Sequence, residues 1–259
     1  MTASDTPANN HYEEYVVAPP DPVSRAMRWG IVVMIALILS VLGYALLAGV
    51  FSPPAPRTLL ESTLEQSRAS VEKNSGSGAA WASLAGAQYT AGDTSAAWKT
   101  LEQARKKVKD HTILYVNNRE LDFLLMENKN ELAIKRADEF IKVEADYQMQ
   151  TKVENAQKGV FVPDQVADNT ESVRLFVLKG TAQGNLGQWE EAVKTFDTAL
   201  ELEDTAADII TLRGWARLRS GNAEGAKKDF ARALRYMPGD ASAARGLEEA
   251  SAEASKTAK

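Results

Sequence analysis

The side chains that most often perform catalysis or bind metal ions are sparse in this chain. It has no cysteine and two histidines, His11 and His111, so it cannot form a disulfide, a thiolate metal site or a thiolate nucleophile. Neither histidine has a catalytic or metal-binding partner near it in the sequence. The local motifs of zinc peptidases, serine hydrolases and nucleotide-binding loops do not occur. The sequence therefore predicts a protein with no enzymatic activity, no bound metal and no cofactor.

The charged residues exclude a further class of function. Lys and Arg number 30 and Asp and Glu number 35, which gives a net charge of −5 and no general attraction to nucleic acid. The carboxylates fall on the predicted outer faces of helices, where a charged side chain is normally only solvated. Apart from one apolar run, the chain shows no long strand-like alternation, so the predicted class is all-α.

A repeat supplies the elements that must position any binding site. Between Val173 and Asp240, small and apolar residue types recur 34 positions apart. Within each copy the spacing predicts a helix, a turn at a glycine and a second helix. Since neither helix can bury its apolar face alone, the copies must stack. The recurring pairs are Gly180 and Gly214, Gly187 and Gly221, Ala192 and Ala226, Phe196 and Phe230, Ala199 and Ala233, and Leu200 and Leu234.

This pattern resembles the tetratricopeptide repeat (TPR), a 34-residue unit of two helices. One copy matches it at Phe176, Gly180, Gly187, Trp189, Ala192, Phe196 and Ala199, and the next at Gly214, Gly221, Ala226, Phe230, Ala233 and Pro238. Gln183 and Arg217 depart from the pattern, since they stand where Tyr is usual, and Asp204 stands where the first copy should have Pro. Residues 78–111 read as another copy and residues 114–147 as a degenerate one. The expected fold is a helical-hairpin solenoid of about four repeats.

An uncharged apolar run, residues 30–51, precedes the repeats. At roughly 1.5 Å per residue it is long enough to cross a hydrocarbon core of about 30 Å as a helix. A buried core helix and a cleavable signal peptide are the alternatives. The run has no polar face beyond Ser40 and Tyr44, however, and its lead is long and acidic. The sequence therefore predicts a retained transmembrane anchor.

The orientation of this anchor follows from the flanking charges. Arg25 and Arg28 lie immediately before the run, and the positive-inside rule then places the N-terminus in the cytoplasm. We expect a single-pass protein of the cell membrane with its TPR domain outside the cytoplasm. The alternative is the reverse topology, with the repeats in the cytosol as a docking receptor.

The predicted organisation has seven parts. Inside the insertion, Val160, Phe161 and Val162 look extended, and two interpretations remain open. The insertion either contacts a partner through these residues or covers an otherwise exposed groove. In chain order the parts are a disordered tail (1–28), a transmembrane helix (29–51), a Pro-containing linker with a short helix (52–77), repeats 1 and 2 (78–147), the insertion (148–172), repeats 3 and 4 (173–240), and a capping helix with a tail (241–259).

The resemblance to TPR proteins also implies where a partner binds. In that family the first helices of the repeats line a concave groove. An exposed Trp buries much apolar area on binding, so Trp215 is the best candidate for a hot spot, with packing against a neighbouring helix as the alternative. Val177 and Thr181 stand where a carboxylate clamp would need Lys and Asn. The implied groove residues are Tyr89, Asn118, Asp122, Met126, Arg174, Thr181, Asn185, Asp208, Thr211, Trp215 and Arg219.

Together these features predict a membrane-anchored TPR module for protein–protein interaction, a scaffold or chaperone-like subunit of a membrane-associated assembly. The layout is similar to that of bacterial TPR subunits that present apocytochromes during cytochrome c maturation, and to that of an ancillary subunit of the Sec translocon. The expected partners are subunits of a membrane complex or exported client chains. The alternative function is a purely structural subunit that holds a larger membrane complex together and recognises no client peptide.

Overall fold

The structure is a computed structural model that describes residues 22–47, 58–159 and 170–257. Every regular element in these ranges is a helix, as the all-α prediction requires. The chain divides into two compact units, residues 1–55 and residues 56–259. Most of the predicted N-terminal tail and the predicted insertion contacts Val160, Phe161 and Val162 lie outside the described residues.

The described part of the first unit is one helix, α1 (Pro22–Leu47). Proline is well tolerated at the first position because the N–H that it lacks would have no partner within the helix. The helix begins seven positions before the predicted start of the span at residue 29, so the end of the predicted tail is helical. Among the described residues, no helix is both long and apolar enough to cross a membrane.

The second unit is built from helical hairpins. A short helix, α2 (Leu59–Lys73), begins with a capping box in which Thr58 and Glu61 satisfy each other's backbone N–H groups. Four TPR-like hairpins and a final helix follow. They are α3 (Gly78–Thr90) with α4 (Thr94–Lys107), α5 (Ile113–Met126) with α6 (Asn130–Gln157), α7 (Thr170–Asn185) with α8 (Trp189–Leu202), α9 (Ala207–Arg219) with α10 (Ala223–Tyr236), and then α11 (Ala241–Thr257).

The turns inside the hairpins fix the register of the repeats. Each turn contains one residue with positive φ. In chain order these residues are Gly92 (85°), Asn128 (57°), Gly187 (74°) and Gly221 (88°). The residue after it donates its N–H to a carbonyl five positions back, as from Lys129 to Leu124 at 2.8 Å, which satisfies the end of the first helix. Asn128 lies 36 positions after Gly92 and 59 before Gly187. The first two copies are therefore two residues out of step with the 34-residue period.

Where the two helices of a hairpin cross, a small residue on one helix faces a large side chain on the other. A Cβ added to Gly180 would lie 2.6 Å from Cε1 of Phe196, so only glycine lets α7 approach α8 around this ring. In α5 and α6 the sizes are reversed, because Leu121 and Ala137 occupy the corresponding positions and both are fully buried. The repeat therefore preserves the volume at the helix crossing rather than the residue that fills it.

The helix α6 departs from the repeat. It has 28 residues, whereas α4, α8 and α10 each have 14, so the first part of the predicted insertion, residues 148–157, prolongs this helix. Two apolar side chains on its second half are strongly exposed, namely Met149 (66%) and Val153 (48%). We call residues 144–157 the α6 extension.

Candidate functional site

The first helices of the hairpins line two adjoining pockets. The first has a volume of about 340 Å³ and lies among α3, α5 and the start of α7. The second has a volume of about 350 Å³ and lies between α7 and the segment that leads into α9. Glu171 and Arg174 line both pockets. The two pockets therefore adjoin at these residues, and we call them together the first-helix groove.

Several predicted groove residues meet in this groove. Asn118, Asp122 and Arg174 line the first pocket, and Arg174 and Asp208 line the second. Asn118 and Asp122 lie four residues apart on α5, so they share one face of that helix. The small residues Ala79 and Ala82 of α3 also line the first pocket, where short side chains leave its space open.

An ion-pair cluster ties the three helices of the first pocket together. Asp122 accepts from Nη2 of Arg174, at 2.8 Å to Oδ1 and 3.1 Å to Oδ2. It also accepts from Nη1 of Arg119 at 3.3 Å, and Nε of Arg119 donates to the carbonyl of Ala82 at 3.2 Å. The two guanidinium groups are thus already engaged with a carboxylate of the protein.

Asn118 has an unsatisfied group in the wall of the first pocket. The residue is 2% exposed, and its Nδ2 donates to the backbone carbonyl of Glu171 at 3.0 Å and to Oε2 of Glu171 at 2.6 Å. Both neighbours of the amide nitrogen are acceptors, which fixes the orientation of the amide. Its Oδ1 is buried and finds no donor among the described residues. A buried acceptor without a donor costs about 1–3 kcal/mol, which a donor from a bound ligand or water would recover.

Tyr89 lies in the core between the first two hairpins. Its ring stacks on Phe123 with centroids 4.2 Å apart and planes at 18°, and Phe123 also receives the edge of Trp98 at 5.6 Å. Tyr89 is half-buried and lines neither pocket. It therefore orders α3 against α5 in this structure, and its contact with a partner stays a prediction.

Trp215 and Arg219 lie against the final helix. Trp215 is half-buried and donates from Nε1 to Oγ of Ser242 at 3.0 Å. Its ring meets Phe230 edge-on at 5.2 Å, and the guanidinium groups of Arg245 and Arg219 lie 5.4 and 5.9 Å from it. These contacts correspond to the alternative of packing against a neighbouring helix. The role of Trp215 as a binding hot spot stays a prediction.

Four further predicted residues, Met126, Thr181, Asn185 and Thr211, line neither pocket. Asn185 stands at the C-terminal end of α7, where its Nδ2 donates to Oδ1 of Asn130 at 2.9 Å.

In the part of the chain that the structure describes, no three His, Cys, Asp or Glu side chains are placed to hold a metal ion.

Tyr115, Arg119 and Glu171 are among the groove residues that were not predicted from the sequence. Tyr115 and Arg119 line the first pocket from α5. The resemblance to the TPR family implies groove contacts at the second, fifth, ninth, twelfth and thirteenth positions of a repeat, and Tyr115 occupies the second, so position alone could have identified it. Arg119 is not at one of those positions. Glu171 precedes the third repeat as the sequence predicts it, at Val173, so the repeat pattern gave no signal for it.

The chain was compared with known families, proteins and structures. No family model matches it, and no curated protein does either. A solved structure similar to it is YrrB, described as a TPR protein with an unusual peptide-binding site (TM-score 0.47, 15% identity, covering 73% of this chain and 84% of that one). A thermophilic TPR protein of Thermus thermophilus, TTC0263, gives a TM-score of 0.49 at 16% identity, covering 74% and 90%. The first TPR domain of human RPAP3 gives 0.42 at 19% identity, covering 55% and 93%.

Proposed function

We propose that this chain is a membrane-anchored TPR module that binds an extended segment of another protein in the first-helix groove. It acts as a scaffold or chaperone-like subunit of a membrane-associated assembly. The observation that supports this most is that the two pockets adjoin at Glu171 and Arg174 and lie side by side along successive first helices. Neighbouring pockets of this kind suit an extended chain better than a compact small molecule.

The chemistry of the groove suits a polypeptide. An extended peptide offers N–H donors and C=O acceptors in alternation. On the groove side, the half-exposed guanidinium of Arg174 retains N–H groups beyond those that Asp122 accepts, and the exposed carboxylates of Glu203 and Asp208 are acceptors in the second pocket. Both halves of a peptide group can therefore find a partner in the groove.

The proposed anchor is supported by the first unit alone. Residues 30–51 carry no charged side chain, and α1 takes in this run up to Leu47. Its apolar side chains are exposed, as at Leu39 (63%), Val41 (64%) and Tyr44 (73%). A helix with such a surface is stabilised by a non-aqueous environment. With Arg25 and Arg28 on the cytoplasmic side, the repeats would lie outside the cytoplasm of a single-pass protein, a layout that suits presenting exported chains in cytochrome c maturation or at a translocon.

The α6 extension supports a second candidate, a structural subunit that holds a membrane complex together. Met149 and Val153 are exposed on a segment with no counterpart in the other hairpins. Exposed apolar side chains on such an extension are typical of a permanent contact with another subunit. In this candidate Val160, Phe161 and Val162, which follow the extension in the chain, belong to the same contact, and the groove binds no client.

Site-specific cross-linking in the full-length protein separates the two candidates. A photo-cross-linking amino acid replaces Ser83 in the groove, Met149 on the α6 extension or Glu190 on the outer side of α8. After irradiation in cells, the protein is purified in mild detergent and the adducts are identified by mass spectrometry. Several exported chains cross-linked in low yield from position 83 support the client-binding function. One membrane subunit cross-linked in high yield from position 149, with none from 83, supports the structural candidate.

A further inference from the structure

One side of the α6 extension is apolar. Four apolar residues follow one another there at intervals of four, four and three positions, which places them on a single face of the helix. All four are exposed, whereas the side away from them is polar, as at Glu144, Thr151 and Asn155. We call these four residues the extension stripe. They are Ala145, Met149, Val153 and Ala156.

The extension stripe continues the side of α6 that faces α7. Earlier on α6, Ile141 packs on the core cluster that includes residues of α7, and Oδ1 of Asp138 accepts from Nζ of Lys179 of α7 at 2.6 Å. Ala145 and Met149 stand 7 and 11 positions after Asp138, which is about two and three helical turns. The stripe therefore prolongs a surface that α6 already uses to pack against the next hairpin.

The helix α7 does not reach the stripe. Near its start, Oγ of Ser172 donates to Oε1 of Glu144 at 3.1 Å, so α7 begins level with the first turn of the extension. It then runs back along α6, since Asn185 at its other end donates to Asn130 at 2.9 Å. The rest of the extension, up to Gln157, advances about 20 Å beyond the start of α7.

The chain has to return along this length to enter α7. At Gly159 φ is 67° and the N–H donates to the carbonyl of Ala156 at 3.1 Å, a backbone geometry that ends a helix. The next ten residues, 160–169, lie outside the described ranges. Fully extended they reach about 35 Å, and the way back to the start of α7 is about 20 Å. A segment of this length cannot pass far from the side of the extension that faces α7.

We propose that residues 160–162 of this chain, the sequence Val-Phe-Val, pack on the extension stripe. These three consecutive apolar residues open the returning segment, so they pass Val153 and Ala156 directly after the turn at Gly159. Packing them on the stripe removes apolar surface of the segment and of the extension from water together.

The covalent connection favours this occupant over a separate chain. The segment is joined to α6 at one end and to α7 at the other, which keeps its apolar residues near the stripe at an effective concentration of about millimolar or more. A partner subunit or a second copy of the chain would first have to displace it. The inference does not depend on the first-helix groove, but it removes the exposed surface on which the structural candidate rests.

Cysteine labelling tests this inference, because the chain contains no cysteine of its own. Met149→Cys places one thiol on the stripe, and Thr151→Cys places one at nearly the same height on the polar side. Both full-length proteins are purified in mild detergent and treated with a maleimide. We expect Met149→Cys to react about tenfold or more slowly than Thr151→Cys, since the segment must open before the reagent can reach it.

A second substitution identifies what shields the thiol. Phe161→Ser added to Met149→Cys should raise the labelling rate to that of Thr151→Cys, whereas Val166→Ser, in the same segment but outside residues 160–162, should leave it slow. Equal rates for the two single-cysteine proteins would overturn the inference, because the stripe would then be open until a partner binds. Slow labelling that Phe161→Ser does not relieve would also overturn it, and dependence of that rate on protein concentration would identify a second copy as the cover.

Discussion

The hairpins α5/α6 and α9/α10 are each tied to the preceding hairpin by an ion-pair cluster, and the two clusters have opposite charges at their centres. In α5/α6 the centre is the carboxylate of Glu120, which is 7% exposed. It accepts from Arg105 of α4 and from Nε of Arg136 of α6, the latter at 2.7 Å. The hydrogen bond that Arg136 donates to Glu120 is the main reason that the pKa of Arg136 is raised above its usual value.

In α9/α10 the centre is the guanidinium of Arg213. It donates to Asp197 of α8 at 2.6 Å and to both oxygens of Asp229 of α10 at 2.9 and 2.6 Å. Burial lowers the pKa of Arg213, but hydrogen bonds and charge from Asp229 and Asp197 more than offset this, so its pKa is raised. In both hairpins the central residue lies 16 positions before its partner on the second helix. The repeat thus preserves an ion pair between these two positions, and either position can carry the negative charge.

The two clusters differ in burial, and the largest expected effect follows from that difference. The side chains of Asp229 and Arg213 are 4% and 11% exposed, whereas those of Arg105 and Arg136 are 32% and 29% exposed. Asp229→Ala leaves the charges of Arg213 and Arg217 poorly compensated inside the protein, and we expect it to lower the free energy of unfolding by about 3–5 kcal/mol. Glu120→Ala frees two arginines that water can reach, so its cost should be roughly half as large. Urea unfolding followed by circular dichroism compares the two variants, and equal costs would show that burial does not set the difference.

The ninth position of the repeat shows a second contrast between the same hairpins. In α5 it is Asp122, which lines the open groove. In α9 it is Trp215, which packs on Phe230 and is covered by Ser242 of α11. We expect Trp215→Ala to cost about 2–4 kcal/mol, because removing a large packed side chain leaves a cavity, and to leave the affinity for groove-bound peptides unchanged. Thermal unfolding and peptide titration measure the two effects separately. A folded Trp215→Ala protein that loses peptide binding at full stability would restore Trp215 as a hot spot.

Repeat position predicted which side chains lie together where their arrangement depends on the repeat alone. Asn118, Asp122 and Arg174 were chosen from position, and all three line one pocket. That they bind a partner stays a prediction. Trp215 was chosen in the same way, yet its surroundings depend on where α11 packs, and the sequence of α9 contains no information about that. The sequence predicted a capping helix within residues 241–259 without indicating which residues of α9 it covers.

The register of the degenerate copy shows the same limit. A degenerate copy was predicted over residues 114–147, but a 34-residue period cannot place its turn, since Asn128 lies 36 positions after Gly92. Asn tolerates the left-handed region better than most residues, so the turn survives without the glycine that identifies the other three. The reversed sizes of Leu121 and Ala137 hide this copy further, because a search for a small residue followed by an aromatic passes over it.

A compensating double variant tests whether the hairpins preserve the total side-chain volume at the helix crossing. In α7/α8, Gly180→Ala places a methyl group 2.6 Å from the ring of Phe196, and we expect a cost of about 1–3 kcal/mol from overpacking. Adding Phe196→Leu recreates the pair found in the first hairpin, where Ala85 and Leu101 are both fully buried. The double variant should be more stable than Gly180→Ala alone, as measured by urea unfolding. If the costs of Gly180→Ala and Phe196→Leu simply add, the total side-chain volume at the helix crossing does not set its stability.

The smallest expected effect is a loss of stability at neutral pH that disappears in acid. It arises at the turn of α5/α6 and not at that of α9/α10. Lys129 and then Nε1 of Trp98, which donates to Glu127 at 2.8 Å, hold the pKa of Glu127 below its usual value near 4.5. A depressed pKa of this kind stabilises the folded state above pH 4.5, and the contribution is lost as the pH falls through the lower folded pKa. Glu127→Gln should remove under about 1 kcal/mol at neutral pH and nothing at a pH below both values, because the carboxyl of the unchanged protein is then protonated as well. Unfolding of both proteins in urea at neutral and acidic pH gives the comparison. A difference that persists unchanged in acid would mean that Glu127 contributes through packing rather than through its charge.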